Sequence, residues 1–316
     1  MIVRWGLDGL RPLLAELGID RAYLVAGERW SHLDLPAVAR WTEVPSHRIE
    51  VPPGLDGIVA VGGGSAIDTA KGASAQARLP LVAVPTTYSG AEWTPYFGVR
   101  NPERRMLGGG GGALLAGIVY EPKLTLELPR GATVGTALNA LAHSAEALYS
   151  RQGSEEADEP ALAGAAAISR WLPQVVERPA DEGARKELLH GAMLAGAALA
   201  ESSMGLGHAM AQALGGRYGL PHGALNAICL PPALRFNQPV AAEAIERLGR
   251  AMGATDSVAR IEELARLGGF ERLRDLGVPA EELSDVAADV AARPAARANP
   301  RPAAPAEIEE LLRSVW

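Results

Sequence analysis

The stretch that most restricts what this chain can fold into is Ile58 to Lys71, I-V-A-V-G-G-G-S-A-I-D-T-A-K. Ile58, Val59, Ala60 and Val61 read as a short buried strand. Gly62, Gly63 and Gly64 then remove every side chain, and Ser65 is placed to cap a helix through Ile67, Asp68, Ala70 and Lys71. Strand, glycine turn and helix start in that order make an anion site. Backbone N–H groups and the helix dipole both point at it, and the natural ligand is a nucleotide pyrophosphate. The pattern is neither a spaced G-x-G-x-x-G nor a P-loop.

Similar units surround it. Leu10–Leu17 predicts a helix stopped by Gly18, and Ala22–Ala26 predicts a strand followed by the turn Gly27-Glu28-Arg29. Pro36–Trp41 reads as a short helix, and Thr42–Leu55, with three prolines, as loop with one possible strand. Leu79–Val84 is another apolar run, closed by Pro85 and the polar turn Thr86–Gly90. Gly98–Leu107 reads as a charged hairpin or loop. The five glycines Gly108–Gly112 read as an irregular surface loop or flap, and Gly117–Tyr120 as a strand. Strands alternating with helices predict an α/β domain with a mostly parallel sheet.

From Thr133 the pattern is helical. Segments run Thr133–Ser150, Glu156–Glu177, Glu182–Glu201, Gly207–Leu214 and Gly223–Phe236, then Val240–Met252, Ser257–Leu267, Pro279–Ala292 and Pro305–Val315. The expected organisation is a Rossmann-like nucleotide-binding domain at 1–128 and an all-helical domain at 129–316. With 316 residues, 48% of them hydrophobic, the chain can fill two cores. A net charge of -7 gives no basic face for nucleic acid. No apolar run has membrane-spanning character, and the first residues lack a signal peptide's apolar core. The single cysteine, Cys229, permits no internal disulfide; its apolar neighbours predict a buried, inert thiol and a cytoplasmic setting.

Three of the six histidines have suggestive surroundings. Asn139 and His143 are four apart and share a helix face. His208 follows Gly205-Leu206-Gly207 at a helix start, and His222 sits in Leu220-Pro221-His222-Gly223. Converging imidazoles can hold Zn²⁺ or Fe²⁺; separate core or surface roles are the alternative. Asn139 is a neutral, poor ligand. His32, His47 and His190 have no comparable context. Lys71 either neutralises a phosphate or lies on the helix surface. Thr86 and Thr87 either bind ligand or cap a turn. Tyr149 and Trp93 either line a pocket or pack, and Glu92 and Glu146 are either site carboxylates or salt-bridge partners.

Taken together, these motifs resemble the iron-containing alcohol dehydrogenase superfamily, which shares the dehydroquinate synthase-like fold. The resemblance runs through Gly62–Lys71, Pro85–Glu92, Val119–Pro122, Leu124–Pro129, Asn139–Tyr149, Gly207–Gly216 and Leu220–Gly223. Within it, Pro85–Pro95 and the Asn at 139 are most similar to maleylacetate reductases. That implies NAD(P)H-dependent reduction of maleylacetate to 3-oxoadipate in aromatic-compound degradation, by a homodimer. It further implies cofactor contacts at Gly27, Gly62, Gly63, Gly64, Ser65, Asp68, Thr86, Thr87, Ser89 and Leu126. Catalytic groups are expected among His143, His208, His222 and Tyr88. A divalent metal, if bound, would sit on Asn139, His143, His208 and His222. Metal-dependent relatives carry Asp at the position of Asn139 and often His at that of Gln212, so the implied metal site is weakened. Gly27, where NAD-preferring relatives often carry Asp, lies near Arg29 and implies that NADPH is tolerated. Relatives usually carry a further strand–helix unit between Ala26 and Ile58. A metal-dependent alcohol or aldehyde dehydrogenase and a non-catalytic nucleotide-binding relative are the competing readings.

Overall fold

The structure is a computed structural model that describes residues 1–101, 106–150 and 154–316. The chain forms two compact units, Met1–Thr87 with Ala91–Glu127, and Tyr88–Gly90 with Leu128–Trp316.

The first unit is α/β. Its strands are β1 (Ile2–Trp5), β2 (Ala22–Ala26), β3 (Ala39–Trp41), β4 (Gly57–Gly62), β5 (Pro80–Pro85), β6 (Phe97–Arg100), β7 (Met106–Gly110) and β8 (Leu114–Tyr120). Six of them form one sheet in the order β1-β8-β5-β4-β2-β3, and each of its pairings is parallel. Helix α1 (Leu10–Glu16) shares a core with Leu24, Val59, Val61, Val82 and Val84. Helix α2 (Gly64–Ala77) shares another with Tyr23, Val25, Ile58, Ala60 and Leu81. Alternate residues of one strand thus serve opposite faces, and β2 and β4 are buried at every position. This is why the strands read as unbroken apolar runs.

Three expectations are corrected here. Residues Ala39–Trp41 form an edge strand beside β2, not a helix. So short a segment cannot repay helix nucleation, while the open edge of β2 supplies backbone partners. No helix follows β3 before β4. Ser65 is the second residue of α2 rather than its cap; Gly63 stands at the cap position and makes no side-chain bond. Glycines 108–110 are not irregular, because they belong to β7, paired antiparallel with β6. A ladder uses only main-chain groups, and a Cβ at Gly110 would lie 2.7 Å from the Phe97 ring. The expected hairpin at Gly98–Leu107 is present at both ends, and its residues 102–105 lie outside the described residues.

The second unit is helical. It contains α3 (Arg130–Ala147), α4 (Glu155–Glu177), α5 (Glu182–Ala200), α6 (Leu206–Tyr218) and α7 (His222–Ala251). These are followed by α8 (Ser257–Arg266), α9 (Leu283–Ala291), α10 (Pro294–Ala298) and α11 (Pro305–Ser314). Alanine-rich α3 is buried on nearly all sides from Thr133 to Ala147, as a central helix must be. It packs against α4, α5 and α7. Asp181 caps α5 by accepting the Ala184 N–H at 2.9 Å, and Asp256 caps α8. The two segments expected at Gly223–Phe236 and Val240–Met252 are one element kinked at Ala241 (φ −135°, ψ 28°). Pro239, which has no N–H to donate, stands at the bend. Helix α9 begins at Leu283 after a short 3₁₀ turn rather than at Pro279, and α10 is an addition to the expected set. Among the described residues, no helix is long and apolar enough to cross a membrane.

Candidate active site

In the first unit the glycine loop links β4 to α2. Gly62 has φ +154°, and a Cβ there would lie 2.7 Å from the Ala66 Cβ. A Cβ on Gly63 would lie 2.8 Å from the Thr87 Cγ2. The Thr86 N–H donates to the Gly62 carbonyl at 3.0 Å and ties the end of β5 to the loop. The Ala66 and Ile67 N–H groups both return to the Gly63 carbonyl. The helix start therefore presents backbone rather than side chains, which fits the pyrophosphate of a dinucleotide.

Other residues expected at this site have different surroundings. Lys71 is 1% exposed, and its amine donates to the carbonyls of Ala91 and Tyr96. It is neither a phosphate ligand at the loop nor a surface lysine. Burial holds it below the ordinary lysine range, with Asp68 and Glu92 opposing. Asp68 accepts the Gly98 N–H at 3.2 Å and lies 3.8 Å from the Lys71 amine. Burial raises its pKa. Gly27 starts the turn after β2, where a Cβ would meet Val44 at 3.3 Å. Arg29 lies over the Trp30 ring and 3.8 Å from Glu127. Leu126 is half-buried and bonds back to the Lys123 carbonyl. Glu92 accepts from the Tyr120 hydroxyl at 2.8 Å, and that hydroxyl accepts from Trp93 at 2.8 Å. Glu92 and Trp93 thus belong to a buried packing network.

In the second unit the three histidines converge. His143 lies on α3, His208 in the first turn of α6 and His222 at the start of α7. The His143 and His208 rings stack with centroids 4.7 Å apart, and His208 and His222 lie 5.8 Å apart. Asn139, one turn before His143, donates to the Ser89 carbonyl at 2.8 Å. Its Oδ1 accepts from the Asn226 amide at 2.6 Å. The same Asn226 nitrogen lies 3.0 Å from His222 Nε2. An amide nitrogen only donates, so His222 Nε2 accepts and the neutral ring carries its proton on Nδ1. Glu146, three residues past His143, lies 2.6 Å from His208 Nδ1. His208 Nε2 is buried and has no hydrogen-bond partner among the described residues.

This arrangement does not fit a divalent cation. The Asn139 oxygen and the His222 Nε2 lone pair both face the Asn226 amide, and Asn139 brings no charge. Stacked rings also turn their faces, not their lone pairs, toward each other. Among the described residues, no group of three or more His, Cys, Asp or Glu side chains is arranged to hold a metal. Tyr88 is fully buried, and its hydroxyl accepts from Arg185 at 3.2 Å. Asn226, Arg185 and the grip of Glu146 on His208 were missed in sequence. The first and last had a signal, since Asn226 is four residues past His222 and Glu146 shares the face of Asn139 and His143. Cys229 is buried as expected, and burial pushes its thiol far above the ordinary range.

Residues 133–316 match the Fe-containing alcohol dehydrogenase family, C-terminal region, and residues 51–114 match iron-containing alcohol dehydrogenase. The chain belongs to the iron-containing alcohol dehydrogenase family. Membership makes it an NAD(P)-dependent oxidoreductase. It is 39% identical over 264 residues to the maleylacetate reductase of Burkholderia cepacia, covering 83% of this chain and 74% of that one. It is 38% identical over 258 residues to that of Sphingobium indicum, covering 81% and 73%. Among solved structures it is similar to an iron-containing alcohol dehydrogenase from Corynebacterium glutamicum. The TM-score is 0.89 at 29% identity, over 100% of this chain and 94% of that one. The maleylacetate reductase of Agrobacterium tumefaciens gives 0.86 at 28% identity, over 100% and 95%.

Proposed function

We propose that this family member is a maleylacetate reductase that works without a metal ion, reducing maleylacetate to 3-oxoadipate. The observation that carries the reading is the pairing of Asn139 with Asn226, which fills with N–H donors the place where a cation would need lone pairs. The similarity to maleylacetate reductases supports the substrate.

The chemistry follows from the residues. The reduced nicotinamide, when bound, supplies hydride to the alkene carbon remote from the ketone. Negative charge then develops on the 4-oxo oxygen, and the neighbouring carbon needs a proton. Protonated His208 suits both tasks, since its Nδ1–H stays on Glu146 while Nε2 donates to the oxygen and then delivers the proton. His222 and His143 supply further polar edges for a dianionic substrate. Gly62, Gly63, Gly64 and Ser65 hold the pyrophosphate by backbone, with Thr86, Thr87 and Leu126 of the same unit around the remainder of the cofactor. Without an acid at Gly27, both NADH and NADPH are accepted. We place this enzyme in the cytoplasm, consistent with the lone thiol, and as a homodimer.

The test is oxidation of NADH and of NADPH by the purified protein with maleylacetate, with and without a chelator. Turnover insensitive to the chelator is expected. Absence of turnover, together with reduction of a simple aldehyde restored by Fe²⁺ or Zn²⁺, would favour a metal-dependent alcohol dehydrogenase instead.

A further inference from the structure

We propose that Glu146 is the positioning residue of the reacting imidazole: it fixes His208 with Nδ1 protonated and turns Nε2 toward the chemistry. This rests on the reading of His208 as the proton donor.

Glu146 is fully buried on α3. Its carboxylate accepts three N–H groups, all from one short segment. Oε2 takes the Gly205 N–H at 2.6 Å and the His208 Nδ1–H at 2.6 Å, and Oε1 takes the His208 backbone N–H at 3.1 Å. Gly205 is the cap position of α6 and His208 its third residue, so a side chain from another helix closes the open end of α6. The same contact seats the ring, because backbone and imidazole of His208 are held by one carboxylate. Small residues permit the approach. A Cβ on Gly207 would lie 3.0 Å from Glu146 Oε1, and one on Gly205 would lie 3.3 Å from it. His143 stacks on the ring and resists its rotation.

A carboxylate only accepts hydrogen bonds, so His208 Nδ1 is the donor in both the neutral and the protonated ring. The neutral ring then leaves its lone pair on Nε2, and the protonated ring offers Nε2–H there. A ring without Glu146 could adopt either tautomer, and the reacting nitrogen would no longer be set.

The measurement is solution NMR of full-length protein with ¹⁵N-labelled histidine rings, the His208 signals being assigned with a His208→Gln variant. In the wild type, Nδ1 of His208 is expected to carry hydrogen in every state observed. Glu146→Gln keeps the shape but presents only one acceptor oxygen, and it is expected to populate the other tautomer. With maleylacetate, kcat of Glu146→Gln is expected to fall by at least about tenfold with KM nearly unchanged. Loss of a helix cap alone lowers melting temperature and active fraction without altering the tautomer. A neutral wild-type His208 with hydrogen on Nε2 would overturn the proposal, whether or not Glu146→Gln folds. So would a Glu146→Gln protein with unaltered tautomer and kcat. If the wild type fails to turn over maleylacetate, the substrate reading falls, and the tautomer measurement still decides the role of Glu146.

Discussion

Asn139 stands between two amide contacts, donating to the Ser89 carbonyl and accepting from Asn226. A neutral amide can do both, whereas a carboxylate can only accept. Asn139→Asp would set an oxygen against the Ser89 carbonyl and leave a buried charge at a site 5% exposed. The cost expected is about 1–3 kcal/mol of stability, from the usual penalty for an unsatisfied buried group. The same change supplies the anionic ligand that the cluster lacks. Added Zn²⁺ is therefore expected to raise the melting temperature of Asn139→Asp and to leave that of the wild type unmoved. Equal stabilisation of both proteins would show that the amide pair does not oppose metal binding. Glycine is required for a different reason at 62 and 63, where a side chain would strike Ala66 or Thr87.

At the scale of elements, the histidine cluster depends on how closely α3 and α7 approach. A Cβ on Gly223 would lie 2.4 Å from the Gly135 carbonyl carbon and oxygen. That contact is with rigid backbone, so the helices must separate if it forms. Gly135 lies four residues before Asn139, and Gly223 three before Asn226. Separating the helices there would stretch the 2.6 Å Asn139–Asn226 contact. Gly223→Ala is expected to lose about 1–3 kcal/mol in chemical denaturation, the usual cost of overpacking, together with activity. Gly135→Ala meets the Ala224 nitrogen at 3.2 Å and is expected to cost less. Equal losses from both variants would mean that the close crossing is not the controlling feature.

For the whole molecule, alkaline pH reports on packing. Tyr218 is pushed from 10.0 up to about 12, first by burial and then by its bond to Glu282. Burial also raises Tyr23, Tyr120 and Tyr149. A phenol with a raised folded pKa contributes stability that is fully present below its unfolded pKa. The unfolded chain releases the proton first, so that stability is lost as pH rises from about 10 through the folded value. Denaturation curves are expected to show stability falling across pH 10 to about 12. Tyr218→Phe should fall less steeply over the same window. A variant with the same slope would assign the loss to the other tyrosines. The two units also differ in what stabilises them: the first fills both faces of a parallel sheet, and the second surrounds one buried helix.

The α/β-then-helical pattern was legible because fully buried parallel strands and alanine-rich helices carry their periods in the residue order. Ala22–Ala26 matched a strand residue for residue, and Glu182–Glu201 matched a helix to within one. The glycine turn between β4 and α2 was equally plain, since a run of residues without side chains after an apolar strand is a local feature of the sequence. The errors fell where a partner decides the outcome: Ala39–Trp41 became a strand because β2 had an open edge, and Gly108–Gly110 because β6 lay beside it. The amino-acid order by itself named three histidines, one asparagine and two glutamates, Glu92 and Glu146, as chemically interesting, and did not say which glutamate meets a histidine. Only the tertiary structure joined Glu146 to His208 across 62 residues and Asn226 to Asn139 across 87. Hydrogen bonds between distant helices depend on crossing distance and ring orientation, and no local period encodes either.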